Sequence, residues 1–301
     1  MNIVVMGAGA IGSLFGGLLS NKNNVMLIGR TSHVNAIRKN GLNIEDKTQL
    51  NVMIPAEDSI NKGMLSPDLL ILTVKSFDTR AAIDQALQII DDDTIILSLQ
   101  NGLDNIAKIK KVVDINQIIA GITTHGAFFS KPGFIRHTGK GKTVLGELKG
   151  KKTKRIKHIA GLFNEAGIET IVSEDIIKEI WIKAIVNSSI NPLTTFFQCK
   201  NGYLLKNPIL EKIVEKVCKE STSIAKANGL DIFNQHTIKK TKEVIRSTSE
   251  NHSSMLQSFK RGKKTEIDSI NGKFVDIGRV HTIDPSMNEI LIYLVKTMSG
   301  K

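Results

Sequence analysis

Lys183, Asn187 and Asn191 stand four residues apart, so a helix over this stretch carries all three on one face. Their neighbours are apolar, with Trp181 and Ile182 ahead of them and Ala184, Ile185 and Val186 between. A cation and two amides set in apolar surroundings mark a functional face rather than a solvated one. Pro192 disfavours helical geometry at the residue before it, so the helix is expected to end or kink at Asn191.

A second cluster suits a different task. Gly7-Ala8-Gly9-Ala10-Ile11-Gly12 follows the apolar run Ile3–Met6 and opens a helical pattern. In that setting the first glycine permits a tight turn and the second lets the backbone approach a pyrophosphate. The third lets the helix pack on the sheet, and the helix N-terminus attracts the anion. A bare GxGxxG is a weak signal, and the strand–turn–helix context strengthens it. Dinucleotide sites selective for NAD place Asp or Glu at the end of the next strand. Here that strand ends Ile28-Gly29-Arg30, followed by Thr31 and Ser32. A guanidinium beside two hydroxyls suits a 2′-phosphate, which points to NADPH as the cofactor. Two further loops, at Lys75 and at Asn101, leave the C-terminal ends of strands, where open α/β sheets bind ligands. Lys75 could face an anion there, and Asn101 could hydrogen-bond the ribose or nicotinamide end. Either could equally be a turn residue.

The elements that must position these residues fall into two halves. Ile3–Met6, Val25–Ile28, Leu69–Val74 and Thr94–Leu99 are short Val/Ile/Leu runs separated by helical patterns such as Phe77–Ile90, the signature of a parallel sheet covered on both faces. From Ile118 to Glu147 the texture suggests antiparallel hairpins, turning at Lys131-Pro132-Gly133 and Gly139-Lys140-Gly141. A helix over 154–166 and a strand over 169–172 follow. Beyond Ser173, helices are expected over 175–190, 208–228, 236–246, 255–261 and 266–280. The fold class is therefore an α/β N-terminal, Rossmann-type dinucleotide-binding domain (1–170) followed by an all-α C-terminal domain (171–301).

Composition narrows the function. The chain has 301 residues, 41% of them hydrophobic, enough for two domains with real cores. Cys199 and Cys218 are too few for a disulfide framework or a cysteine-based zinc site, and no cluster suits any other metal. They read as ordinary thiols in a reducing compartment. The uncharged run Ile3–Ser20 is broken by five glycines and preceded by no basic residue, so it reads as strand, turn and helix, not as a membrane span. The expectation is a cytoplasmic protein with no membrane partner. The formal charge of +12 and the basic run Lys149–Lys157 could suit nucleic acid, but the run holds no aromatic residue and reads as solvated charge.

At this point the chain resembles the ketopantoate reductases (2-dehydropantoate 2-reductases). Three blocks carry the likeness: the GxGxxG with Arg30, the stretch Ile180 to Thr194, and Glu250-Asn251-His252-Ser253-Ser254-Met255-Leu256-Gln257 followed by Thr265 to Gly272. Ile180 replaces the family's Leu. The resemblance implies reduction of ketopantoate to pantoate in pantothenate and coenzyme A biosynthesis, with hydride from NADPH and a proton from Lys183. It implies Glu266 as the supporting carboxylate, also beside the cofactor, and Asn101, Asn187, Asn191, Asn251 and Ser254 as substrate-binding. Gly7, Ala8, Gly9, Ala10, Ile11, Gly12, Arg30, Lys75 and Asn101 would hold the cofactor. Desolvation lowers a lysine pKa and a nearby carboxylate opposes it, so Lys183 and Glu266 can set a useful value between them. His125 lies in a loop resembling a family stretch near the nicotinamide and is read as structural. The alternatives are a relative reducing another small 2-keto acid and a non-catalytic NADP-binding regulator. The sequence leaves open whether the chain forms a homodimer.

Overall fold

The computed structural model describes residues 1–61, 63–64 and 66–299. The chain divides into two compact units, one of Met1–Gln100 with Asn105–Ile177, the other of Asn101–Asp104 with the chain from Lys178 onward. The boundary expected at 170/171 lies a few residues before Ile177, and no local signal marks Asn101–Asp104 as part of the later unit.

In the first unit the elements run β1 (Asn2–Met6), α1 (Ala10–Leu19), β2 (Asn24–Ile28), α2 (Thr31–Asn40), β3 (Leu42–Asp46), β4 (Leu50–Val52), β5 (Ala56–Glu57) and β6 (Leu69–Leu72). Then come α3 (Thr79–Ala86), β7 (Ile95–Ser98), α4 (Asn105–Ile109), β8 (Ile118–Thr123), β9 (Gly126–Lys131), β10 (Phe134–Gly139), β11 (Thr143–Glu147), α5 (Lys154–Glu165) and β12 (Thr170–Val172). Among the described residues the main sheet has the order β12-β11-β8-β7-β6-β1-β2-β5. From β8 to β5 every neighbouring pair is parallel, while β11 runs antiparallel to β8.

The pleat explains why the strands read as unbroken apolar runs. Ile3, Val5, Leu69 and Ile71 pack on one face with Leu14, Phe15, Ile37 and Phe163 from α1, α2 and α5. Val4, Met6, Leu70 and Leu72 pack on the other with Ile83, Ala86 and Ile109 from α3 and α4. Both faces are covered, so neither can alternate with polar residues.

A smaller sheet, β4-β3-β10-β9, packs over α1. Here one expectation fails. β9 and β10 form the hairpin expected at Lys131-Pro132-Gly133, but β10 and β11 do not pair. β10 instead runs parallel to β3, and β11 joins the main sheet beside β8. Gly139-Lys140-Gly141 is therefore a crossing between sheets.

The second unit is helical: α6 (Ile176–Phe196, of which Lys178 onward belongs here), α7 (Tyr203–Lys206), α8 (Pro208–Ala227), α9 (Asn234–Ser247), α10 (Ser254–Lys260), α11 (Ile267–Val280) and α12 (Ser286–Ser299). Its core gathers Val186, Ile190 and Leu193 of α6 with Leu210, Val214 and Val217 of α8 and Leu291 of α12. Asn207 caps α8, accepting from the Ile209 and Leu210 amides with Pro208 in the first turn. At Pro192, of the two outcomes expected there, an end or a kink, the end does not occur. The helix does not stop at Asn191 but continues to Phe196 with Pro192 inside it. No helix among the described residues is long and apolar enough to cross a membrane.

Candidate active site

The glycine loop of the first unit is shaped by close approach. Gly7 has φ +110°, and a Cβ on it would lie 2.6 Å from the Val74 nitrogen. A Cβ on Gly12 would lie 2.2 Å from the Gly7 carbonyl oxygen and 2.5 Å from Thr73 Oγ1. Both positions must therefore be glycine for packing reasons alone. Gly9 is different: a Cβ there would meet nothing nearer than the Gly7 oxygen at 3.9 Å. The space beside Gly9 opens at the head of α1, whose first turn has no side-chain cap and no acidic residue. A helix end with amides to offer and room above it fits a pyrophosphate.

Side chains stitch the neighbouring loops together. Thr73 Oγ1 donates to the Gly7 oxygen at 2.8 Å. Gln100 Nε2 donates to the Val74 oxygen at 2.9 Å and to Thr79 Oγ1 at 2.7 Å, and Gln100 Oε1 accepts from Ser98. Half-buried Lys75 thus follows a carbonyl pinned from the end of the adjacent strand. Gln100 directly precedes Asn101, and nothing local in the sequence marks it for this role.

Arg30 is exposed at the head of α2, directly after Gly29, where an added Cβ would lie 2.7 Å from the Ala8 Cβ. Its strand end is thus beside the glycine turn. The local sequence shows no carboxylate there, but β5 pairs with β2 and delivers one: Thr31 Oγ1 donates to Asp58 Oδ2 at 3.0 Å. Such a partner comes from sheet pairing and is invisible in the local sequence.

In the second unit Lys183 and Asn187 are half-buried and Asn191 is buried. Burial pushes the Lys183 ammonium down to about 8, and the charge of buried Glu266, at the head of α11, opposes that shift. Asn101 enters this unit through a turn at Gly102, where φ is +99° and a Cβ would lie 2.9 Å from the Ser269 oxygen. The Leu103 amide donates to the same oxygen at 3.3 Å. The loop bearing Asn101 is therefore seated on the helix that Glu266 begins.

Asn251 is half-buried, and its carbonyl accepts from the Asn201 amide at 2.9 Å. Buried Asn201, which no motif in the sequence marks, also donates from Nδ2 to Thr248 Oγ1 at 2.9 Å. Ser253 and Ser254 part company. Ser253 is buried, caps α10 by accepting from the Leu256 amide, and receives a hydrogen bond from Thr194 Oγ1 at 2.7 Å. Ser254 is exposed at the first position of the helix.

His125 is a buried ring, its Nδ1 3.1 Å from His137 Nε2. Burial pushes its pKa down to about 4, and the neighbouring His137 adds to the effect. In the basic run, Lys149 bonds Asn116, Lys152 pairs with Glu174, and Arg155 pairs with Glu147. No cluster that could hold a metal occurs among the described residues.

An N-terminal nucleotide-type sheet carrying a glycine loop, joined to a helical unit with a desolvated lysine–glutamate pair, defines the dinucleotide-dependent reductase class. The chain belongs to the ketopantoate reductase PanE/ApbA family, whose N-terminal model matches residues 3–150 and whose C-terminal model matches residues 175–299. It is 43% identical over 297 residues to the 2-dehydropantoate 2-reductase of Pyrococcus abyssi, covering 98% of this chain and 97% of that protein. A crystal structure of the PanE/ApbA family ketopantoate reductase from Ralstonia eutropha JMP134 matches with TM-score 0.91 at 28% identity, covering 100% of this chain and 99% of that one. D-mandelate dehydrogenase in ternary complex with NADH and anilino(oxo)acetate matches with TM-score 0.95 at 27% identity, covering 100% and 98%. The chain is an oxidoreductase.

Proposed function

We propose that the chain reduces 2-dehydropantoate to pantoate in pantothenate and coenzyme A biosynthesis, with NADPH as reductant. The observation that carries this reading is Lys183, an ammonium desolvated to a pKa of about 8 with Glu266 opposing the shift, within the family whose named members are 2-dehydropantoate 2-reductases.

Bound NADPH supplies the hydride that goes to the ketone carbon. Charge then grows on the ketone oxygen, where Lys183 stabilises it and hands over its proton. Glu266 keeps Lys183 charged until that moment and, in this reading, also accepts a hydrogen bond from the substrate's terminal hydroxyl. Asn187, Asn191, Asn251 and Ser254 offer neutral hydrogen bonds that orient the carboxylate and hydroxyl groups, with Asn101 at the junction of substrate and cofactor. The amides following Gly9, with Lys75, take the cofactor's phosphates, and Arg30 takes the 2′-phosphate.

Asp58 favours a second reading of the cofactor alone. A carboxylate hydrogen-bonded to Thr31, next to Arg30, suits a ribose 2′-hydroxyl better than a phosphate, so NADH would be used as well. The test is the loss of reduced-nicotinamide absorbance on adding ketopantoate, with NADPH and NADH in parallel. Rapid oxidation of NADPH alone is the expected result. Comparable rates with both cofactors would favour the second reading, and no oxidation of either by folded protein would overturn the substrate.

A further inference from the structure

Pro192 has no amide hydrogen, so the carbonyl four residues earlier in α6, that of Ser188, loses its helical donor. Ser188 is fully buried, and a buried carbonyl without a partner is costly. The missing hydrogen bond comes from outside the helix. Asn271 of α11, itself fully buried, donates from Nδ2 to the Ser188 oxygen at 3.1 Å.

The orientation of that amide is fixed by a chain of partners. The Glu220 carboxylate can only accept, and it takes the Asn288 backbone amide at 2.9 Å and Asn288 Nδ2 at 2.8 Å. Asn288 must then turn its Oδ1 toward Asn271, whose Nδ2 donates to it at 2.9 Å. The same amide group is left facing the Ser188 carbonyl, which accepts only. Asn271 Oδ1 is buried without a hydrogen-bond partner among the described residues, so satisfying its own acceptor is not what fixes this arrangement.

The tie joins the two helices that matter for the proton. Ser188 stands five residues after Lys183 on α6, and Asn271 stands five residues after Glu266 on α11. We infer that Asn271 is a positioning residue: by filling the carbonyl that Pro192 leaves vacant, it fixes α11 against α6 and so sets Glu266 against Lys183. The inference rests on the reading of Lys183 as proton donor and Glu266 as its supporting carboxylate.

The test compares full-length wild type, N271L and P192A/N271L by the pH dependence of kcat/KM for ketopantoate with NADPH, and by Tm. Leucine keeps the volume and removes the donor. Glu266 raises the pKa of Lys183, so loosening the pair moves the alkaline limb of the N271L profile down, by about half a pH unit or more, with kcat reduced about tenfold. P192A returns an N–H to the helix, giving the Ser188 carbonyl a partner without Asn271. The double variant is therefore expected to regain Tm while its alkaline limb stays low. An N271L profile that overlays wild type, or a double variant that recovers the profile along with Tm, overturns the inference and leaves Asn271 a structural residue. If N271L does not fold, N271S, whose hydroxyl is too short to reach Ser188, is judged by the same profile. Wild type with no ketopantoate activity, or K183A with full activity, overturns the underlying reading and the inference with it. An N271L profile like wild type beside an inactive K183A overturns the inference alone.

Discussion

A lysine ammonium donates a proton near neutral pH only when something weakens its hold on that proton, and in Lys183 burial does so. With the pKa at about 8, most of the side chain is charged at pH 7, and the charged form is the one that the proposed proton donation requires. The sign follows: kcat/KM should be flat through neutrality and fall as pH rises through about 8, a limb that stopped-flow or steady-state rates would show. K183A should lower kcat by ~10²–10⁴, the range expected for loss of a general acid. Survival of turnover within a few-fold would remove Lys183 from the proton's path. Arg30 makes a separate prediction. Its exposed guanidinium next to the glycine turn should matter only to a ligand with a 2′-phosphate, so R30A should raise KM for NADPH about tenfold and leave NADH nearly unchanged. Equal losses for both cofactors would mean that Arg30 holds something other than that phosphate. The companion change D58N should act in the opposite sense, easing NADPH binding by removing the carboxylate that Thr31 now engages.

The small sheet of the first unit is joined to its surroundings by histidines that must stay neutral. His33 of α2 accepts the Gly133 amide at Nδ1, which leaves Nε2–H to donate to Ser13 of α1. One ring thus joins two helices and the β9–β10 turn. His137 on β10 meets Thr48 through Nδ1 and His125 through Nε2. Burial holds His33 and His125 at about 4 and lowers His137 as well. Unfolded histidine takes up its proton near 6.5, whereas His33 and His125 in the folded chain do not until the pH nears about 4. The stability they contribute is therefore complete above about 6.5 and drains away as pH falls from there toward about 4, by a few kcal/mol in all. Urea midpoints measured at pH 7 and pH 5 should show the loss, and H33Q should flatten the difference. A midpoint independent of pH over that range would mean the rings are charged in the fold. None of this is visible in the residue pattern, because His33 reaches the Gly133 amide, and His125 reaches His137, only once the small sheet has formed. α12 has no local signature for a similar reason. Two of the amides at its start are capped by Glu220 of α8, a partner 67 and 68 residues away, and Ile290–Val295 is an apolar run without a helical stripe.

Over the whole molecule, what could be read directly was whatever local chemistry determines: the parallel strands, the glycine turn, most of the helices, and the face of Lys183, Asn187 and Asn191. What could not be read was set by distant pairing, as with Asp58 beside Thr31, Gln100 under Val74, and the continuation of α6 through Pro192. The net charge of +12 belongs to this scale too. Cofactor and substrate are both anions, so a cationic protein draws them in, and salt screens that attraction over a Debye length of about 10 Å at 0.1 M. Raising ionic strength from about 20 to about 200 mM should lower kcat/KM several-fold with little change in kcat. A kcat/KM indifferent to salt would mean that the positive charge is spread too evenly to steer. The short excursion at Asn101–Asp104 has a consequence for how such a protein can be divided. Gly102 lies against a carbonyl of α11 that is made more than half the chain later, so during synthesis this turn emerges long before the surface it rests on. Neither unit is one continuous length of chain, and no single cut in the gene separates them: a fragment that begins at Lys178 lacks the loop that carries Asn101.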